Sequence, residues 1–167
     1  MVIQPDWTNF QLRIDIKASD QEIYNAWATR AGLERWFLRQ APFAKPDGSI
    51  RPAGEKCREG DTYEWRWYGY PDDVVENRPV IEANGRDLFK FYFSGDCIVT
   101  VKIAREAGET LVTLSQENIP TDDASKMSYY NGCSLGWTFY LANLKSVLEG
   151  GPDLRNKNAQ LSNVINA

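Results

Sequence analysis

Near the C-terminus lies an amphipathic stretch long enough to dictate the architecture around it. Apolar residues recur at Met127, Tyr130, Trp137, Leu141, Leu144 and Leu148, mostly in steps of three, four or seven, which places them on one stripe of a helix. Asp122 or Asp123 supplies the cap at its start, and Gly150-Gly151-Pro152 stops it. Glycine past the last turn accepts the conformation that ends a helix, and proline cannot continue one. No other predicted element is long enough to cover a sheet, so the strands that precede this helix must bury their apolar face against it.

Such strands are present. Phe10, Leu12, Ile14 and Ile16 alternate with Gln11, Arg13, Asp15 and Lys17, the period of two that marks a half-buried strand. Further on, Tyr63, Trp65 and Trp67 alternate with Glu64, Arg66 and Tyr68, and Val80 and Ile81 open a strand ending at Asn84-Gly85. Phe89, Phe91 and Phe93, then Val99, Val101 and Ile103, then Val112, Leu114 and Gln116 continue the pattern. Short turns between neighbours predict an antiparallel, strongly twisted sheet. After the first strand, Ser19-Asp20-Gln21-Glu22 reads as a capping box. Ile23, Ala26 and Trp27 follow, then a break near Thr29 to Gly32, then Leu33, Trp36 and Phe37. Two short helices joined by a kink are expected. The stretch from Pro42 to Gly60 reads as loop with at most a weak hairpin, and its charge-rich part, Arg51 to Gly60, as a solvated loop.

The predicted fold class is therefore α+β: a curved antiparallel sheet wrapped around a long C-terminal helix, with two short helices after the first strand. A single domain over residues 1–155 and a polar, loosely ordered tail over 156–167 make up the 167 residues. At this length a full core needs neither disulfide nor metal as a staple.

The chain has no histidine, which removes Ser-His-Asp and Cys-His nucleophile pairs and every zinc site that depends on imidazole. Cys57, Cys97 and Cys133 are far apart in sequence and form no CxxC pair, the pattern of reduced thiols in a cytoplasmic protein. A net charge of −4 argues against a broad nucleic-acid or anionic-membrane surface. The N-terminal residues lack the basic and apolar regions of a secretory signal, and charges interrupt every hydrophobic run before it could span a membrane. No cofactor or metal is implied.

Aromatic residues make up 13% of the chain. Tyr63, Trp65, Trp67, Phe89, Phe91 and Phe93 fall on the predicted inner face of the sheet, where they either pack the core or line a gap left as the sheet diverges from the helix. Trp36 faces the same interior from the second short helix. On the long helix, Tyr130 and Trp137 lie two turns apart and can both look into that gap. Gly136 beside Trp137 points to close packing. Gln116 continues the buried series of the last strand, so its amide must find backbone partners or face a wet or ligand-filled cavity.

These elements and residues together resemble the helix-grip fold of the START-like superfamily, also called Bet v 1-like or SRPBCC. Within it they are similar to the family related to the C-terminal domain of the activator of Hsp90 ATPase. The most specific segment is GWTFYLANLKSVLEGGPDLR, Gly136 to Arg155, with DQEIYNAWAT, LERWF and GETLVTLSQ as supporting marks. Many relatives carry a histidine where this chain has Gln116, so a proton-transfer role does not carry over. The eukaryotic activator has a separate N-terminal domain, which the nine residues before the first strand here do not supply.

The resemblance implies three alternatives. The leading expectation is noncatalytic binding of a small, largely apolar or aromatic ligand between sheet and long helix, with Trp36, Tyr63, Trp65, Trp67, Phe89, Phe91, Gln116, Tyr130 and Trp137 as its candidate contacts. The second is an interaction protein that modulates an Hsp90-type chaperone. The third is a cyclase or hydrolase using a buried carboxylate or tyrosine in place of histidine. The oligomeric state is open, a homodimer being one alternative.

Overall fold

The computed structural model describes residues 4–167. Its elements run β1 (Phe10–Asp15), α1 (Asp20–Ala28), α2 (Arg30–Trp36), β2 (Phe43–Ala44), β3 (Thr62–Trp65), β4 (Glu76–Ala83), β5 (Leu88–Tyr92), β6 (Ile98–Glu106) and β7 (Glu109–Glu117). The C-terminal helix follows in three parts: α3 (Asp123–Ser125), a π-helical segment (Lys126–Gly132) and α4 (Cys133–Leu148). The seven strands form one antiparallel sheet in the order β1-β7-β6-β5-β4-β3-β2. This is the helix-grip arrangement.

Register follows the alternation in the sequence. Phe10, Leu12 and Ile14 pair with Gln116, Leu114 and Val112, and on β5 and β6 Phe89 and Phe91 pair with Val101 and Val99. All of these but Leu12 and Ile14 are buried. A one-residue slip would turn that whole set to solvent, so the apolar pattern fixes the pairing. The ladder shifts between Val80 and Glu82, a bulge that lets β4 bend as it passes from the broad part of the sheet to its short edge.

The two short helices form as their sequence requires. Ser19 Oγ accepts from the Glu22 amide at 3.2 Å while Glu22 Oε2 accepts from the Ser19 amide at 2.9 Å, so both orphan donors are satisfied. Thr29 serves the ends of both helices: its hydroxyl donates to Asn25 O at 2.8 Å and accepts from the Gly32 amide at 2.9 Å. A Cβ on Gly32 would come within 2.1 Å of Asn25 O. Only glycine lets α2 turn back this tightly on α1.

Asp122 caps the C-terminal helix, its carboxylate accepting from the Ser125 amide at 3.0 Å. The π-helical turns that follow carry more residues per turn than an α-helix and shift the phase of everything upstream of Cys133. Met127, expected on the buried stripe, is therefore 67% exposed. Trp137, Leu141 and Leu144 lie beyond the shift and are buried as expected. Gly150, at φ +82°, ends the helix.

Three further segments complete the fold. The Pro42–Gly60 region holds the weak hairpin expected of it, Ala44 bridging Ile50, and its first arm also pairs with β3 as the edge strand β2. The Arg51–Gly60 stretch is not simply solvated: the Arg51 guanidinium is buried on the Asp61 carboxylate and also reaches Glu55. The tail makes contacts back to the body. Asn166 Nδ2 donates to Leu154 O at 2.8 Å, and Tyr140 Oη donates to Ala167 O at 2.6 Å, returning the last residues to the helix.

Candidate ligand cavity

The concave face of the sheet is mostly filled. Trp27 and Trp36, carried inward by α1 and α2, meet at 4.6 Å between ring centroids, and Trp27 also lies against Trp137 and Phe91. Tyr63 stacks on Trp65 at 4.1 Å, and Trp65 sets its edge on Phe91. Of the expected contacts, Trp36, Tyr63, Trp65, Phe89 and Phe91 are thus packed inside the protein, 0–2% exposed, and line no cavity. The reason is that the short helices supply two indoles to the space that a bare sheet and helix would leave open.

A hollow of about 220 Å³ remains at one end of this cluster. One wall comes from α4 and the π-helical segment: Ser128, Gly132, Cys133, Gly136, Trp137 and Tyr140. The opposite wall is Phe37, following α2, with Phe93 and Ser94 at the β5–β6 turn. Trp67, Tyr70 and Val74, from the β3–β4 connection, form the rim. Tyr70 and Val74 are 55% and 41% exposed, so the hollow opens to solvent beside them. Trp67 and Trp137 are the two expected contacts that reach it.

Gln116 does not. Fully buried, it accepts from Trp137 Nε1 at 3.0 Å and donates to Tyr129 O at 3.2 Å. Its amide is satisfied within the protein, and it anchors the indole nitrogen of Trp137, whose ring lines the hollow. Phe37 and Phe93 both pack against that ring, at 5.0 and 4.9 Å, and lie 6.4 Å from each other. Tyr130 lies elsewhere, edge-on to Trp7 at 4.9 Å and Phe10 at 5.5 Å. The π-helical phase shift that exposes Met127 also turns Tyr130 away from Trp137.

None of the twelve lining residues carries a charge. Burial pushes the Cys133 thiol up, opposed by hydrogen bonds to Ser94 and Gln116, so it remains protonated at neutral pH. Ser94 Oγ lies 3.3 Å from Cys133 Sγ, a pair of weak donors and acceptors in an otherwise apolar wall. Ser94 is held at φ +56°, a conformation that most side chains avoid. Its amide donates to Glu76 Oε1 at 2.6 Å behind the wall. Burial raises the Glu76 carboxyl above its ordinary range, against the lowering effect of that hydrogen bond and of Arg78.

Phe37, Tyr70, Val74, Ser94, Cys133 and Tyr140 were not expected here. Alternation and helical period identify buried faces, but the rim residues sit on loops that have no period. Gly136 did carry a signal. It stands in mid-helix, where glycine is unfavourable, yet a Cβ built on it would meet nothing within 4 Å. It marks open space rather than the close packing expected beside Trp137.

Among the described residues, no group of cysteine, aspartate and glutamate side chains is arranged to hold a metal ion, and no helix is long and apolar enough to cross a membrane.

Comparison with solved structures bears on the fold. Protein SSP2350 from Staphylococcus saprophyticus superposes with a TM-score of 0.68 at 18% identity, over 88% of this chain and 96% of that one. The Aha1 dimer from Colwellia psychrerythraea, solved in solution, gives a TM-score of 0.64 at 22% identity, over 86% and 97%. No curated protein matches the chain. The family described as Activator of Hsp90 ATPase homolog 1-like protein matches residues 17–149, from the end of the first strand to the end of the long helix. By that match over most of its length, this chain belongs to the Activator of Hsp90 ATPase homolog 1-like family, with its START-like helix-grip fold.

Proposed function

We propose that this protein binds a small, largely apolar molecule in the hollow between α4 and the β3–β4 and β5–β6 connections. The observation that carries this reading is an aromatic-walled, uncharged hollow of about 220 Å³ that opens to solvent. Water in such a recess hydrates apolar aromatic surface, and an apolar occupant removes both that surface and its own from water.

The magnitude sets the screening conditions. Burying about 200 Å² of apolar ligand surface at ~25 cal/mol per Å² is worth about 5 kcal/mol, equivalent to a Kd of about 0.2 mM before hydrogen bonds are added. Ligand-observed NMR or titration calorimetry against a panel of apolar and aromatic compounds, at millimolar concentration, is the matching experiment. Val74→Glu places a carboxylate on the exposed rim without disturbing the core, and is expected to weaken binding at least tenfold. A wild-type protein that binds nothing, or a Val74→Glu protein that binds as well, overturns the reading.

A second reading rests on the family match. The family takes its description from an activator of the Hsp90 ATPase, and this chain would then act on an Hsp90-type chaperone. Titrating the protein into such an ATPase is expected to raise its turnover. A flat response retires this alternative.

A further inference from the structure

We infer that the molecule held in the hollow is neutral and flat, a one- or two-ring aromatic compound, and that Gly136 sets its size by leaving bare helix backbone as one wall. This rests on the proposed reading of the hollow as a ligand site and gives that site a chemical class.

Volume supplies the first constraint. An engineered cavity of about 150 Å³ accommodates benzene, whereas drug-sized ligands take roughly 300–1,000 Å³. At about 220 Å³ the hollow accepts one ring or two fused rings, and an extended acyl chain would project through the mouth into water. Charge supplies the second. With no ionisable cation or carboxylate in its wall, a charged ligand would lose its hydration without a partner, which is costly in an apolar enclosure. The Ser94 hydroxyl and Cys133 thiol, 3.3 Å apart, can instead exchange hydrogen bonds with a single hydroxyl or carbonyl group.

Shape supplies the third. Phe37, Phe93 and Trp137 surround the floor with tilted rings at 4.9–6.4 Å, leaving their faces and edges to a further ring at comparable spacing. Gly136 stands beside Trp137 on α4. Glycine in mid-helix lowers stability relative to alanine, and here no neighbouring atom requires it, since a Cβ would meet nothing within 4 Å. What the missing side chain does provide is room for a planar molecule to lie against the helix.

The test uses the full chain, three probes and two variants. Calorimetry is run with 2-naphthol, its charged counterpart 2-naphthoate, and dodecanoate. The wild type is expected to bind 2-naphthol at least tenfold more tightly than either anion. Gly136→Leu, which fills the space, should weaken 2-naphthol binding at least tenfold. Gly136→Ala should weaken it less while unfolding at or above the wild-type temperature, which shows that the fold is intact. Equal or tighter binding of 2-naphthoate overturns the inference, as does 2-naphthol binding that Gly136→Leu leaves unchanged. Dodecanoate binding preferentially and in a Gly136→Leu-sensitive manner overturns the aromatic class while the ligand site stands. If none of the three binds, the inference falls and the ligand-site reading falls with it.

Discussion

Two polar side chains behind the cavity wall, Glu76 half-buried and Gln116 fully buried, lead to opposite expectations. Burial raises the Glu76 carboxyl above its ordinary value of 4.5, while the Ser94 amide and Arg78 act to lower it. The folded state therefore holds this proton more tightly than the unfolded chain does. The associated stability is fully present below about pH 4.5 and is lost as pH rises through the raised value. Glu76→Gln keeps an oxygen for the Ser94 amide and should raise the unfolding temperature at pH 7, with the gap closing as the pH approaches 4. A gap that does not narrow would show that Glu76 is no longer strained by its burial. Gln116 is the contrary case. Trp137→Phe removes the donor to its Oε1 and leaves a buried acceptor unsatisfied, at a cost of about 1–3 kcal/mol beyond any packing loss. Adding Gln116→Leu in that background should recover part of this in urea unfolding.

At the scale of the element, Thr29 joins two helices through one hydroxyl. Thr29→Ala should cost about 1–2 kcal/mol and Thr29→Ser only a fraction of that, measured by thermal or urea unfolding. Equal losses would mean that the methyl group, not the hydroxyl, holds the junction. This junction was readable in the sequence because caps and breaks are local chemistry. So were β6 and β7, whose alternation runs unbroken across most of their length. The edge strand β2 was not, since two residues have no period. The opening of β4, Glu76 to Pro79, which pairs with β3, is polar and resembles a loop. The π-helical turns escaped for a different reason. A period of 3.6 residues per turn does not register an added residue inside an otherwise regular helix, so Met127 falls on the exposed face and Tyr130 packs on Phe10 away from the hollow. The same logic explains the candidate site: the inner face of the sheet was identified, but not which of its aromatic rings α1 and α2 would cover.

Across the whole molecule, the two ends of the fold are tied together at one point. Arg155 donates to Leu38 O at 3.0 Å and Glu34 O at 2.9 Å while pairing with Asp153. Asn143 donates to Trp36 O at 2.7 Å and accepts from the Leu154 amide at 2.7 Å. Burial works against the Asp153 carboxylate, yet hydrogen bonds from Arg155, Asn143 and Lys157 outweigh it and hold the group well below the usual carboxylate range. Arg155→Ala would leave two carbonyls without their donor and remove one of the three partners of that carboxylate, and should cost about 3 kcal/mol. It should also diminish the acid-side loss of stability, because a depressed carboxylate stabilises above its unfolded pKa and ceases to do so as pH falls through the folded one. Unfolding of both proteins at pH 7 and pH 3 is the check, and an unchanged acid slope would assign the depression to Lys157 and Asn143 instead.

The placing of the indoles has an optical outcome. Trp27, Trp36 and Trp65 are sealed, whereas Trp67 and Trp137 border the hollow. With the outlying Trp7 replaced by phenylalanine, a small neutral quencher such as acrylamide should divide the emission into a shielded part and a reachable part. A guest would shrink the reachable part, giving the native fluorescence a label-free gauge of occupancy.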